Sequence, residues 1–219
     1  LVDEIAIFGC SFSRGVPEVS NYDCWPRHLA KAFPNVQIKN YAMSGSSLLY
    51  SLYALEKYKQ QVRNAYTIFN ITTPFRFDYI PQDTDLDDFL IDTDLPNYKQ
   101  TDMNRLSDKI TPFRYQNCLF SNVQKPKEQR KFGKLLAKYF NDEMDEIQWK
   151  ACSIYANDHT DFTFFQRAYR SFPENFCVER DFGKKWYKKH SPDQYHLDSD
   201  GLEILTNKII DLTKLKNIV

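Results

Sequence analysis

The apolar run Ile5-Ala6-Ile7-Phe8 stops at Gly9-Cys10-Ser11-Phe12-Ser13-Arg14-Gly15, and a helical spacing of apolar residues follows at once. A β-type run broken by a glycine-flanked turn and answered by a helix is the opening of an α/β unit. Pro26 suits a helix's first turn, and Trp25, Leu29, Ala32 and Phe33 recur behind it at helical period. Val36-Gln37-Ile38 reads as a second strand. The polar turn from Asn40 to Ser47 leads into an apolar-periodic helix from Leu48 through Leu55. Tyr66 to Ile71 is β-branched and aromatic, as a central strand requires, and Thr72-Thr73-Pro74 ends it because proline cannot continue an interior ladder. The order β-α-β-α-β predicts a mostly parallel sheet.

The rest of the chain is less regular. From about Asp78 to Arg130 no period is sustained, and two helices are expected between 131 and 156, so residues 78–156 read as a partly helical insertion or lid. Phe162-Thr163-Phe164-Phe165 is a candidate late strand. Leu202, Leu205, Ile209 and Leu212 form the apolar stripe of a last helix that starts near Ser199 or Asp200. No Pro/Gly/Ser linker divides the 219 residues, so one domain over 1–219 is expected.

Composition removes several classes of partner. Lysine plus arginine and aspartate plus glutamate balance at 29 each, which leaves no long-range field to single out nucleic acid. No stretch approaches the ~20 apolar residues of a membrane span. The chain opens on a core strand without the basic and apolar regions of a signal peptide, so the expected location is cytoplasmic. Five cysteines, at 10, 24, 118, 152 and 177, lack CxxC pairing, which implies reduced, mostly buried thiols and no zinc site. No metal or organic cofactor is expected. The acidic run Asp83 to Asp88 has neither the glycine nor the terminal glutamate of a calcium loop.

Chemistry is expected at the two termini. Ser11 falls just past the C-terminal end of the first strand, where open α/β sheets place their ligands. Near the other end stand Asp193-Gln194-Tyr195-His196, with Gly201 five residues after the histidine. An aspartate three residues before a histidine can hold one ring nitrogen across a single turn and leave the other free to take a proton from a serine. Alternation along the first strand turns Cys10 toward the core if Ser11 points into the cleft. His28, in a helical segment, is expected at the surface. His159 and His190, the latter in a lysine-rich turn, are assigned no role.

Three segments, in order, look like the sequence blocks of the SGNH (GDSL-like) hydrolase superfamily. They are Gly9-x-Ser11-Phe12-Ser13-x-Gly15, Asn40-x-Ala42-x-x-Gly45, and Asp193-x-x-His196 with Gly201. The blocks cover some thirty residues, and the middle of the chain carries no such likeness. The resemblance implies a flavodoxin-like three-layer α/β/α sandwich with Ser11 as nucleophile, His196 as general base and then acid, and Asp193 as the group that orients the imidazole. It also implies that the amides of Ser11 and Gly45 face the oxyanion.

Two departures stand out. Cys10 replaces the aspartate that usually precedes the serine, and the segment after the third strand, Ile71-Thr72-Thr73-Pro74-Phe75-Arg76, lacks the family's asparagine. Thr73 ranks first as a replacement oxyanion donor, with Thr72 and Arg76 as alternatives; Asn70 and Arg76 are candidate substrate contacts. The function implied is a serine esterase or deacylase acting on a small acyl ester, such as an O-acetyl group on carbohydrate, through an acyl-enzyme. An O-acyltransferase would use the same site. The competing class is a non-catalytic binding or structural module, favoured by the missing asparagine. The sequence leaves the oligomeric state open.

Overall fold

The computed structural model describes residues 2–15, 23–71, 76–79, 90–102, 105, 111–114, 162–166, 176–193, 196–213 and 215. Strand β1 (Glu4–Phe8) runs into a single helical turn, α1 (Ser11–Arg14), followed by α2 (Trp25–Ala32), β2 (Gln37–Asn40), α3 (Leu48–Tyr58) and β3 (Tyr66–Ile71). The expected β-α-β-α-β order is present. Then come β4 (Arg76–Tyr79), β5 (Leu90–Asp92), β6 (Tyr98–Thr101), β7 (Thr111–Arg114), β8 (Phe162–Gln166) and β9 (Phe176–Cys177). Three further helices are α4 (Val178–Asp181), α5 (Lys184–His190) and α6 (Ser199–Thr213).

One sheet takes the strand order β5-β6-β2-β1-β3-β8-β9. Every pairing from β6 across to β9 is parallel, and β5 is an antiparallel edge on β6. The chain steps from β1 to β2 on one side and then to β3 on the other. Such a reversal opens a crevice beyond the strands' carboxyl ends, at the turn that carries Ser11.

Parallel strands covered on both sides read as unbroken apolar runs, and β1 shows why. Ile5 and Ile7 join Trp25, Leu29 and Ala30 of α2 and Leu202, Leu205 and Ile209 of α6 in one apolar cluster. Ala6 and Phe8 point the other way, into a second cluster with Tyr41, Phe69 and the α3 residues Tyr50, Ala54, Leu55 and Tyr58. Phe8 stacks on Tyr41 and Phe69 at centroid distances of 5.0 and 5.1 Å. α2 and α3 thus cover opposite faces of the sheet, as right-handed crossovers in opposite directions demand.

Several sequence expectations need correction. Ala32 is exposed and Ala30 takes its place on the buried side of α2. Leu212 is 39% exposed, whereas Ile210 is buried, because the 3.6-residue period carries the stripe of α6 round to Ile210 and Thr213. Residues 90–101, inside the stretch read as an insertion, supply β5 and β6 to the main sheet. β4 and β7 pair separately as a two-stranded antiparallel ribbon, with Arg76 opposite Arg114. The two helices expected between 131 and 156 lie outside the described residues. Among the described residues no helix is long and apolar enough to cross a membrane.

Candidate active site

The Ser11 turn is held from several directions. Cys10 has extended backbone geometry before α1, and its carbonyl accepts from the amides of Ser13 and Arg14 at 2.9 and 3.0 Å. Ser11 is therefore the first residue of a helical turn, where backbone N–H groups have no partner within the helix. Cys10 lies in the apolar cluster below, as alternation required.

Behind the nucleophile, Ser13 Oγ accepts from Trp25 Nε1 at 3.1 Å and from Asn70 Nδ2 at 3.1 Å. The Ser13 carbonyl accepts from Asn40 Nδ2 at 2.9 Å. Arg14 reaches across to β6, donating from Nη1 to Gln100 Oε1 and from Nη2 to the Thr101 carbonyl, both at 3.1 Å. Buried hydrogen bonds from α2, β2, β3 and β6 thus fasten a helix only four residues long.

Gly9 makes room for this clamp. A Cβ there would lie 2.9 Å from the Asn70 Cβ and 3.1 Å from Ser13 Oγ, so a side chain at this place would push β3 away from the turn. The Gly9 carbonyl also accepts from Met43 N–H at 3.1 Å and Ser46 Oγ at 3.0 Å, which ties the loop after β2 to the serine turn. In that loop the Ser46 amide donates to the Met43 carbonyl at 3.2 Å, and Gly45 stands third in the turn with φ +81°. A positive φ at that place is the type II arrangement that favours glycine.

The far end of the chain meets Ser11 directly. His196 Nε2 lies 2.8 Å from Ser11 Oγ, and His196 Nδ1 lies 2.5 Å from Asp193 Oδ2. Asp193 Oδ1 accepts from the His196 backbone amide at 2.7 Å, so one carboxylate fixes both the ring and the peptide that carries it. With Nδ1–H donated to Asp193, the Nε2 lone pair faces the serine hydroxyl, the tautomer a general base needs. Ser11 is 9% exposed and the imidazole about a fifth, so the pair is sheltered but reachable.

Of the other expected site residues, Asn70 is placed differently. It is buried and its Nδ2 donates to Ser13 Oγ at 3.1 Å, so it supports the nucleophile's turn. Thr72 and Thr73 lie outside the described residues; Arg76 begins β4, and the described part of it is its backbone.

Two histidines are better partnered than expected. His28 Nε2 lies 2.8 Å from Asp23 Oδ2, with both side chains about four-fifths buried, so it is not a free surface histidine. His190 ends α5 and is buried; its Nδ1 lies 3.0 Å from Asp198 Oδ1, and its carbonyl accepts from the Asp198 amide at 2.8 Å. Asp198 Oδ1 also accepts from the Gly201 amide at 2.8 Å, the bond that capping side chains make in a helix's first turn.

This second pair closes the neck of the loop that carries Asp193 and His196. Gly201 is small for that reason: a Cβ there would lie 2.9 Å from the His190 Cβ. Its sequence signal was the acidic and serine-rich start of α6, which marks a cap but does not name the histidine that shares it.

Polar burial continues beneath the site. Tyr98 Oη accepts from Asn40 Nδ2 at 2.9 Å and lies 3.4 Å from Cys24 Sγ. Burial pushes the Cys24 thiol up to about 11 and raises Tyr98 well above the ordinary phenol range. Both stay neutral at physiological pH. Cys10, Cys24 and Cys177 are buried thiols outside any disulfide. Among the described residues, no group of three or more His, Cys, Asp or Glu is arranged to hold a metal.

The arrangement can deprotonate an alcohol at the carboxyl edge of a parallel sheet and store the proton on an imidazole balanced by a carboxylate. In comparisons with known proteins, no family model matches the chain and no curated protein matches it.

Proposed function

We propose that the protein is a serine esterase or deacylase of the SGNH type, on a three-layer α/β/α sandwich whose partly helical insertion lies within residues 78–156, apart from the main-sheet strands β5 and β6. The reading rests on one observation, the continuous Ser11–His196–Asp193 hydrogen-bond chain at 2.8 and 2.5 Å. Its Ser11–His196 link joins residues 185 apart, so no local preference of the chain accounts for it.

Ser11 Oγ attacks the ester carbonyl as His196 Nε2 takes its proton, and the carbonyl oxygen becomes an anion. The amides of Ser11 and Gly45 donate to that oxygen, and loss of one such donor typically costs ~100- to 1,000-fold in rate. His196 then gives its proton to the leaving alcohol, and the acyl group stays on Ser11. Water attacks the acyl-enzyme with His196 again as base, which releases the acid and restores the serine. Asp193 keeps its negative charge throughout and balances the imidazolium.

A fluorophosphonate probe should label the native chain at Ser11, and a short-chain aryl acetate should be hydrolysed. Ser11→Ala should abolish labelling, and His196→Ala should slow hydrolysis by at least ~1,000-fold with folding intact by circular dichroism. Absence of both labelling and hydrolysis in a folded native sample would overturn the reading in favour of a non-catalytic module.

A further inference from the structure

Arg14 is a buried cation held by neutral groups. It ends the helical turn that Ser11 begins, and it is 6% exposed. Its guanidinium donates from Nη1 to the Gln100 amide oxygen and from Nη2 to the Thr101 carbonyl, both at 3.1 Å. Nε is buried as well and meets no acceptor among the described residues. Charged side chains are seldom buried without an opposite charge, because neutral oxygens return only part of the hydration given up. Here the hydrogen-bonded partners are two neutral oxygens, which leave the positive charge in place. Burial raises the pKa of both Cys24 and Tyr98, and the Arg14 charge works against that rise at each.

Sheet order says where that charge lies. Gln100 is level with Asn40 of β2, and Asn40 with Ile7 of β1, so the guanidinium stands beside the carboxyl end of β6, two strands from β1. Two strand spacings put it on the order of 10 Å from the serine turn. The loop that carries Gly45 lies on the same side. The Thr101 hydroxyl donates to the Ala42 carbonyl at 2.7 Å, and the Gly9 carbonyl accepts from Met43 and Ser46 of that loop.

His196 arrives from the opposite side. Phe176 belongs to β9, at the far edge of the sheet. It meets Phe182, Phe182 meets Trp186, and Trp186 meets His190, with ring centroids 5.4, 4.2 and 4.9 Å apart. His190 in turn holds Asp198, at the neck of the loop that bears His196.

This asymmetry matters because the attack of Ser11 creates two charges. The carbonyl oxygen becomes an anion as His196 becomes a cation, and a positive charge nearer the oxygen than the imidazole lowers the energy of that pair. We infer that Arg14 stabilises the anionic tetrahedral intermediate on Ser11 through its buried charge, from the Gly45 side of the site and without touching the substrate. The inference rests on the esterase reading above. A charge fixed before the reaction and shielded from water needs no reorganisation when the anion forms. At ~10 Å and an effective dielectric constant of ~20, one unit charge alters a rate by roughly 10-fold. A direct anion subsite fits less well, because a guanidinium so buried offers almost no surface to an incoming carboxylate.

Gln100→Glu tests the charge with Arg14 left in place. The new carboxylate would pair with the guanidinium, cancelling its charge while holding the turn at least as firmly. On a neutral aryl acetate kcat should fall ~10-fold with KM within about twofold, the mark of an interaction made only in the transition state. The urea midpoint should stay level or rise. A merely structural Arg14 gives the opposite result for kcat, since a firmer clamp keeps the native rate. An aryl boronic acid, whose adduct on Ser11 is an anion, should bind the variant ~10-fold more weakly than the native chain.

Native kcat in Gln100→Glu, or a change confined to KM, overturns the inference. Where Gln100→Glu fails to fold, Arg14→Gln carries the same expectation for kcat and for boronate affinity, and native values there overturn it equally. Fluorophosphonate labelling of the native chain at Ser11, with kcat unchanged in the variants, overturns the role of Arg14 and leaves the esterase reading standing. A native chain that is neither labelled nor active on the acetate overturns the esterase reading, and this inference falls with it.

Discussion

At the scale of single residues, small and neutral side chains do much of the positioning. Gly9→Ala would drive a methyl group to within 2.9 Å of the Asn70 Cβ and 3.1 Å of Ser13 Oγ. Overpacking of this kind costs ~1 to 3 kcal/mol. The expected result is a lower urea midpoint together with a lower kcat, because the displaced atoms hold the serine turn. Cys24 makes a separate prediction through pH. Its thiol is raised from an ordinary 9.0 to about 11, first by burial. The folded chain therefore holds this proton more tightly than the unfolded chain does. The stabilisation is complete below the unfolded value and is lost as pH climbs through the folded one. The unfolding free energy from urea melts should fall between pH 9 and about 11, by up to ~1.4 kcal/mol per pH unit for this group. Cys24→Ala should show a shallower fall, and identical slopes would contradict the assignment. Sequence alternation was enough to turn Cys10 inward. The partners of His28 and His190 were not legible, since a histidine's neighbours in sequence do not say which carboxylate it meets.

At the scale of elements, the site depends on two short pieces that could not hold their shape alone. An isolated helix of four residues does not form in water; α1 persists because Trp25, Asn40, Asn70, Gln100 and Thr101 bind it. The loop between α5 and α6 is pinned in the same manner by the His190–Asp198 pair. His190→Ala should lower kcat on an aryl acetate by ~10- to 100-fold, the scale of a misplacement near 1 Å, with KM within about twofold. His190→Asn, which can still donate to Asp198, should recover most of the loss. A KM effect without a kcat effect would place His190 outside the alignment of His196. The helices and strands nearest the N-terminus were readable because their apolar residues keep strict periods. β6 was not, because Tyr98-Lys99-Gln100-Thr101 carries one large apolar residue and takes its place from the pairing with β2. The long stretch without a period hid β5 and β7 as well.

At the scale of the whole molecule, strand order is what makes a site. β1 lies between β2 and β3, so the carboxyl end of β1 opens at the point where the chain reverses its direction of travel across the sheet. α6 then packs beside α2, with Thr206 Oγ1 3.2 Å from the Trp25 carbonyl, and this docking sets the loop before α6 over the Ser11 turn. The sequence by itself determined the apolar periods, the glycines beside the serine and the three-residue interval that lets Asp193 reach its own histidine, all of which are contacts within one turn or one strand. Only the tertiary structure decided that His196 would meet Ser11, that Asn70 would face inward and that Arg14 would reach β6. Those contacts join residues 185, 57 and 86 positions apart. They depend on sheet order, register and helix docking, which arise from burial summed over the whole core and are written in no single segment.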